Sequence, residues 1–101
     1  MDQAYPSGHW TARLPRQGFK HLKPGRRYEV TAPFTDYDGD LHPAGERWRF
    51  LTHNFLPYED GLSLFVSLDD AQEWHIRLQW RPETQAAIID ALEQHLRACE
   101  G

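Results

Sequence analysis

Only one cysteine, Cys99, occurs among 101 residues, which excludes an intramolecular disulfide and any multi-cysteine zinc or iron–sulfur site. Near the C-terminus it reads as a half-buried helical thiol rather than a nucleophile. A chain without disulfides fits a reducing cytosol, so a cytoplasmic location is expected. No apolar run approaches the ~18 residues needed to cross a bilayer, and no basic–apolar–small leader opens the chain. Neither a membrane partner nor export is therefore predicted. The sequence also lacks a G-x-S-x-G elbow, a phosphate-cradling glycine loop and a short histidine pair of the H-x-x-x-H kind. Ser7, Ser63 and Ser67 have no histidine or aspartate at a suggestive spacing. The acid pairs Glu59-Asp60 and Asp69-Asp70 fall at hairpin tips, where burial and a raised pKa are least expected. These absences argue against an enzyme and against a cofactor.

What is present is an ordinary soluble composition, 40% hydrophobic and 26% charged, in a length that suits one domain with a modest core. Aromatics at 13% are a high load, and their large buried areas can compensate for a small core. The net charge of −4 hides an asymmetry. Arg13, Arg16, Lys20, Lys23, Arg26 and Arg27 face only Asp2 in the first 28 residues, whereas acids dominate the remainder. A basic arm this dilute is expected to lie on its own acidic body or stay solvated.

Residues 1–21 show no clean period and read as a partly ordered basic lead-in, with Trp10, Leu14 and Phe19 as candidate anchors. A single β-rich domain is expected over 22–101. Pro24-Gly25 marks a turn, after which Tyr28, Val30, Ala32 and Phe34 alternate as in a strand. In "RWRFLTHNF", Trp48 and Phe50 fall on one face and Leu51, His53 and Phe55 on the other, as in a strand covered on both sides. Asp60-Gly61 is a hairpin pair. Leu62, Leu64, Val66 and Leu68 share a face, and so do Trp74, Ile76, Leu78 and Trp80. Pro82 then opens a predicted helix over 82–99, with Ile88, Ile89, Leu92, Leu96 and Cys99 as its apolar stripe. The fold class is mainly β (α+β overall). It is expected to be a small antiparallel β-barrel or curled sheet resembling an SH3-like barrel, with a C-terminal α-helix.

The densest chemistry is "FTDYDGDLHPAGERW". Asp36, Asp38 and Asp40 begin like a calcium-binding EF-hand loop, but Gly39 stands at position four, Leu41 at six and Arg47 at twelve. A different metal site, using Asp36, Asp38, Asp40 and Glu46, remains as an alternative. Zinc would need His42, His53 and Asp40 to converge by folding. The plainer reading is a turn: Asp36 caps backbone amides, Gly39 accepts positive φ, and Pro43 and Gly45 shape the return. Tyr37 and His42 have no evident structural motive.

At "LKPGRRYEV", "FTDYDGDLHPAGERWRFL" and "NFLPYEDGLSLFV" the chain resembles an uncharacterised family of small bacterial domains of unknown function. The resemblance implies an autonomous bacterial cytoplasmic domain and brings no activity, cofactor or substrate.

The function these observations favour is a non-enzymatic protein- or peptide-binding module. Its surface would be built from the 36–46 loop and the "LPYEDG" hairpin, through Asp36, Tyr37, Asp38, His42, Glu46, Tyr58 and Glu59. An acidic aromatic rim suits a basic partner, including a toxin neutralised by an immunity-type protein. The alternatives are a metal-dependent enzyme or metal-binding protein using the Asp36–Glu46 loop, and a single-stranded nucleic-acid binder. For the latter, Tyr37, Tyr58 and Phe65 would stack bases beside Arg27, Arg47, Arg49, Arg77 and Arg81, but the acidic body opposes phosphate, and nucleic acid is disfavoured.

Overall fold

Alternating apolar residues need a partner for each strand and a cover for one face, and the protein supplies both with very short connections. The computed structural model describes residues 5–6, 15–69 and 72–99. Its strands are β1 (Tyr5–Pro6), β2 (Arg27–Val30), β3 (Phe34–Thr35), β4 (Leu41–His42), β5 (Arg47–Leu56), β6 (Gly61–Ser67), β7 (Gln72–Gln79) and β8 (Leu96–Ala98). Two short helices, α1 (Ala86–Asp90) and α2 (Leu92–His95), precede β8. Five strands make one antiparallel sheet in the order β7-β6-β5-β2-β8, and the two-residue β1 pairs with the outer edge of β7. Strands β3 and β4 form a separate two-stranded ribbon.

The sheet stays open, which corrects the expected SH3-like barrel in favour of the curled-sheet alternative. Among the described residues β8 ends one side, and β7 with β1 ends the other. Closure needs long strands at both edges with matched stagger; here β8 has 3 residues and β1 has 2.

A second correction concerns "RWRFLTHNF". Its two apolar faces are one face interrupted by a β-bulge between Phe50 and Thr52. Phe50 pairs with Val66, His53 with Leu64 and Phe55 with Leu62, so the extra residue flips the phase and returns all three to the side of the β6 core residues. Thr52, on the opposite side, donates its hydroxyl to the Pro15 carbonyl and accepts from the Gln17 N–H, which ties the incoming chain to the sheet.

The third correction is the predicted 82–99 helix. The helical part is confined to α1 and α2, broken at Ala91, and the tail returns as a strand. Leu96 and Ala98 pair with Val30 and Tyr28, and hydrogen bonds from Thr31 N–H to the His95 carbonyl and from Cys99 N–H to the Arg27 carbonyl bracket the ladder. An open edge on β2 offered more backbone hydrogen bonds than another helical turn, and tertiary pairing overrode local propensity.

Ile89 and Leu92 cover the sheet and join Leu22, Tyr28, Val30, Phe34, Trp48 and Phe50 in one buried core. Phe19 packs on that core beside Trp80 and His53, while Trp10 and Leu14 lie outside the described residues. Trp74, expected inward, shares a face with Val66 yet is 46% exposed. Among the described residues no helix is long and apolar enough to cross a membrane.

Candidate functional site

The 36–46 loop is folded around the side chain of Asp36. Its Oδ1 accepts the backbone N–H groups of Asp38 and Asp40, each at 3.0 Å, and Gly39 supplies the positive φ that the turn requires. Its Oδ2 lies 2.8 Å from Nε2 of His42, whose Nδ1 lies 2.7 Å from Oε2 of Glu46. That same Glu46 oxygen accepts the indole N–H of Trp48 at 3.1 Å. Asp36 and His42 are buried, and the His42 ring stacks on Phe34. Two acceptors facing two ring nitrogens call for two N–H donors, and only the imidazolium has both. Burial opposes that charge, but hydrogen bonds to Asp36 and Glu46 and the charges on both outweigh it, so the His42 pKa is raised.

This arrangement gives His42 its structural motive: it clamps the start of the loop to its end. It also bears on the metal alternative, because a doubly protonated ring has no lone pair for a cation. Among the described residues no group of three or more His, Cys, Asp or Glu is placed to hold a metal ion. His53, the other histidine considered for zinc, contacts the Gln17 carbonyl and Phe19 instead.

Beyond the clamp the loop reaches the outer edge of β7. The Tyr37 N–H donates to the Arg77 carbonyl at 2.7 Å, the Arg77 guanidinium lies over the Tyr37 ring at 5.4 Å, and Asp38 pairs with Arg77 at 3.5 Å. The "LPYEDG" turn meets the chain where β7 ends, the Trp80 N–H donating to the Asp60 carbonyl. There Pro57–Glu59 make one 3₁₀ turn, Asp60 takes a left-handed conformation, and its carboxylate accepts from Arg81 Nε at 2.8 Å.

Between these two turns runs an open groove of about 350 Å³, lined by Tyr37, Tyr58, Glu59, Ser63, Arg77 and Arg81 among others. Tyr58 is 97% exposed and Tyr37 is 49% exposed. The seven residues singled out in the sequence thus separate into two groups. Asp36, His42 and Glu46 form the frame of the loop; Tyr37, Tyr58 and Glu59 face the groove, with Asp38 pinning Arg77 beside them. Sequence reasoning missed Arg77 and Arg81 as groove walls in this role. Their outward register on and just after β7, opposite acids in two facing turns, was the available signal.

Another groove, of about 320 Å³, opens on the far side of the loop and is lined by Leu41, Leu68, Trp74 and the clamp residues. His75 borders both grooves. It stacks on Phe65, and its Nε2 lies 2.7 Å from the Ser63 hydroxyl. Burial and the nearby Arg77 charge lower its pKa, with Asp38 and Asp36 offsetting part of the effect.

Comparison with known proteins adds kinship without an activity. The family described as a domain of unknown function, DUF3601, matches residues 17–100. A solved structure of an integron cassette protein from the mobile metagenome of Vibrio cholerae shares 38% sequence identity, with a TM-score of 0.78. The match covers 83% of this chain and 93% of that one. No curated protein matches the chain.

Proposed function

The chain belongs to the DUF3601 family of domains of unknown function, and on that premise we propose that it is a non-enzymatic module that binds a protein or peptide partner, acting in the cytoplasm. One observation carries the reading: Tyr37 and Tyr58, from turns with β4 and β5 between them, open onto one groove. Tyrosine supplies large contact area at little entropic cost and keeps a polar tip, which is why it recurs at contact sites. The groove is also braced. Arg77 is held by Asp38 and by the Tyr37 ring, and Arg81 by Asp60, so its walls are set before a partner arrives. The excess of acids in the body favours a basic partner.

The test is to pan a random peptide library against the purified protein and measure the selected binders on variants. Tyr58→Ala is expected to weaken them by about tenfold or more, as for a central aromatic contact, while the melting midpoint stays put because Tyr58 packs on little. Binders that are indifferent to both Tyr58→Ala and Tyr37→Ala, or a library that yields none, would overturn the reading.

A further inference from the structure

Six large apolar side chains stand out as exposed among the described residues, and they are not scattered. Tyr37, Leu56 and Tyr58 line the groove just discussed; Leu41, Leu68 and Trp74 all line the other one, across the loop. Single exposed apolar residues need no explanation, but three gathered around one concavity mark a contact surface. Leu41 is 62% exposed, Trp74 46% and Leu68 42%. Their positions follow from the fold. Leu41 leads β4, Leu68 follows β6, and Trp74 opposes Val66 at the start of β7, so one ribbon and two strand ends converge there.

The charge around this concavity is one-sided. Among the described residues Asp36, Asp40 and Glu46 line it, and no lysine or arginine does. The His42 ring lies between Asp36 and Glu46, one carboxylate oxygen at each ring nitrogen. Glu46 lines the groove and uses Oε2 for both His42 and Trp48, so Oε1 takes part in neither bond. The exposed carboxylate of Asp40 has no ion-pair partner among the described residues. A guest placed here would find an indole face, two leucines and two acceptors of negative charge.

We propose that this groove is a docking site for a protein segment in which aliphatic residues alternate with arginine or lysine. The aliphatic side chains cover Leu41 and Leu68, and the cation lies over the Trp74 ring or against Glu46 Oε1 and Asp40. Aromatic faces attract cations, most strongly tryptophan, and paired charges at a partly desolvated rim add selectivity against acidic segments. This site does not depend on the Tyr37–Tyr58 reading, since the two grooves have only His75 in common.

The probe is a short capped peptide alternating leucine with arginine, titrated into the full chain while the Trp74 indole N–H is followed by NMR; a leucine–glutamate peptide is the control. The arginine peptide is expected to shift the Trp74 signal and to weaken with added salt, while the glutamate peptide leaves it unmoved. Trp74→Ala is expected to reduce affinity by about tenfold, Asp40→Asn by less, and Tyr58→Ala to leave it unchanged. Leu41→Ser, on an exposed position, gives the same loss should Trp74→Ala melt early. Equal binding of both peptides, no binding at millimolar peptide, or binding that survives both Trp74→Ala and Leu41→Ser would overturn the proposal. So would a concentration-dependent dimer abolished by Trp74→Ala, which would assign the groove to a second copy of the chain.

Discussion

His42 and His75 line one groove beside the 36–46 loop, and each rests flat against a phenylalanine. The ring centroids are 4.8 Å apart at 22° for His42 on Phe34, and 4.7 Å apart at 18° for His75 on Phe65. Yet burial lowers the pKa of His75, helped by Arg77, whereas the pKa of His42 rises in spite of burial. The stacking contact is common to both and so cannot decide the charge. What decides it is the company of the nitrogens: two carboxylates around one ring, a serine hydroxyl and a neighbouring arginine around the other. The His42 ring sits in a buried cluster of carboxylates, whereas the His75 Nε2 meets a neutral hydroxyl.

The strongest way to break this contrast is Asp36→Ala. Removing one partner of a buried charge cluster leaves the other uncompensated, at about 3 kcal/mol or more, and here two backbone N–H groups lose their acceptor as well. For a domain of this size that lowers the melting midpoint by about 10 °C or more. Asp36→Asn separates the causes, because an amide oxygen can still cap Asp38 and Asp40 but cannot balance the imidazolium. A loss under about 1 kcal/mol in Asp36→Ala, the scale of a surface pair, would show that the clamp contributes little.

How much of this was legible beforehand depends on whether the controlling contact is local. The alternation in β6 and around Tyr28 and Ile76 was plain, because a period of two needs no knowledge of the partner strand. Asp36 as a cap followed from the D-x-D-G turn chemistry for the same reason. The bulge at Leu51 was hidden, since an inserted residue and a strand with two apolar faces look alike until the β6 register is known. The tail was hidden too: Leu92 and Leu96 fit a helical stripe, and only the unfilled edge of β2, far earlier in the chain, turns Leu96–Ala98 into a strand. Open sheet or closed barrel is likewise a question about edges, which composition does not answer. For His42 the difficulty was different. Acids at 36 and 46 around a histidine resemble a metal loop in sequence, and only the geometry shows them satisfied by the ring between them. Tyr37 gained its motive from Arg77, a residue forty positions away.

Titration sharpens the contrast next. A folded-state pKa above the unfolded value means that the stabilising charge on His42 is fully present below the ordinary histidine pKa of about 6.5. It is lost as pH rises through the raised folded value. The melting midpoint of the protein should therefore fall on the alkaline side of that window. His42→Gln, which carries no charge at any pH, should be less stable at pH 6 and lack the alkaline decline. A decline that persists in His42→Gln would place the titrating group elsewhere.

His75 should give the smallest effect and the opposite sign. With a folded pKa below the unfolded one, its neutral form contributes stability that is complete above about pH 6.5 and is lost as pH falls through the lowered value. In the wild-type protein the two losses fall on opposite sides of the ordinary histidine pKa, so together they make stability peak near it rather than cancel. Chemical denaturation of His75→Asn across pH 5–8 isolates the second component: the acid-side loss should shrink, leaving the His42 component to dominate. Ser63→Ala, which removes the hydroxyl beside His75 Nε2, should cost about 1 kcal/mol near neutrality, the usual net worth of a single neutral hydrogen bond. That is well below the Asp36→Ala loss, as expected if the His42 ring is held by two carboxylates and the Ser63 contact to His75 is a single neutral hydrogen bond. Equal losses in Ser63→Ala and Asp36→Ala would mean that the two histidines, for all their different neighbours, serve the fold in the same way.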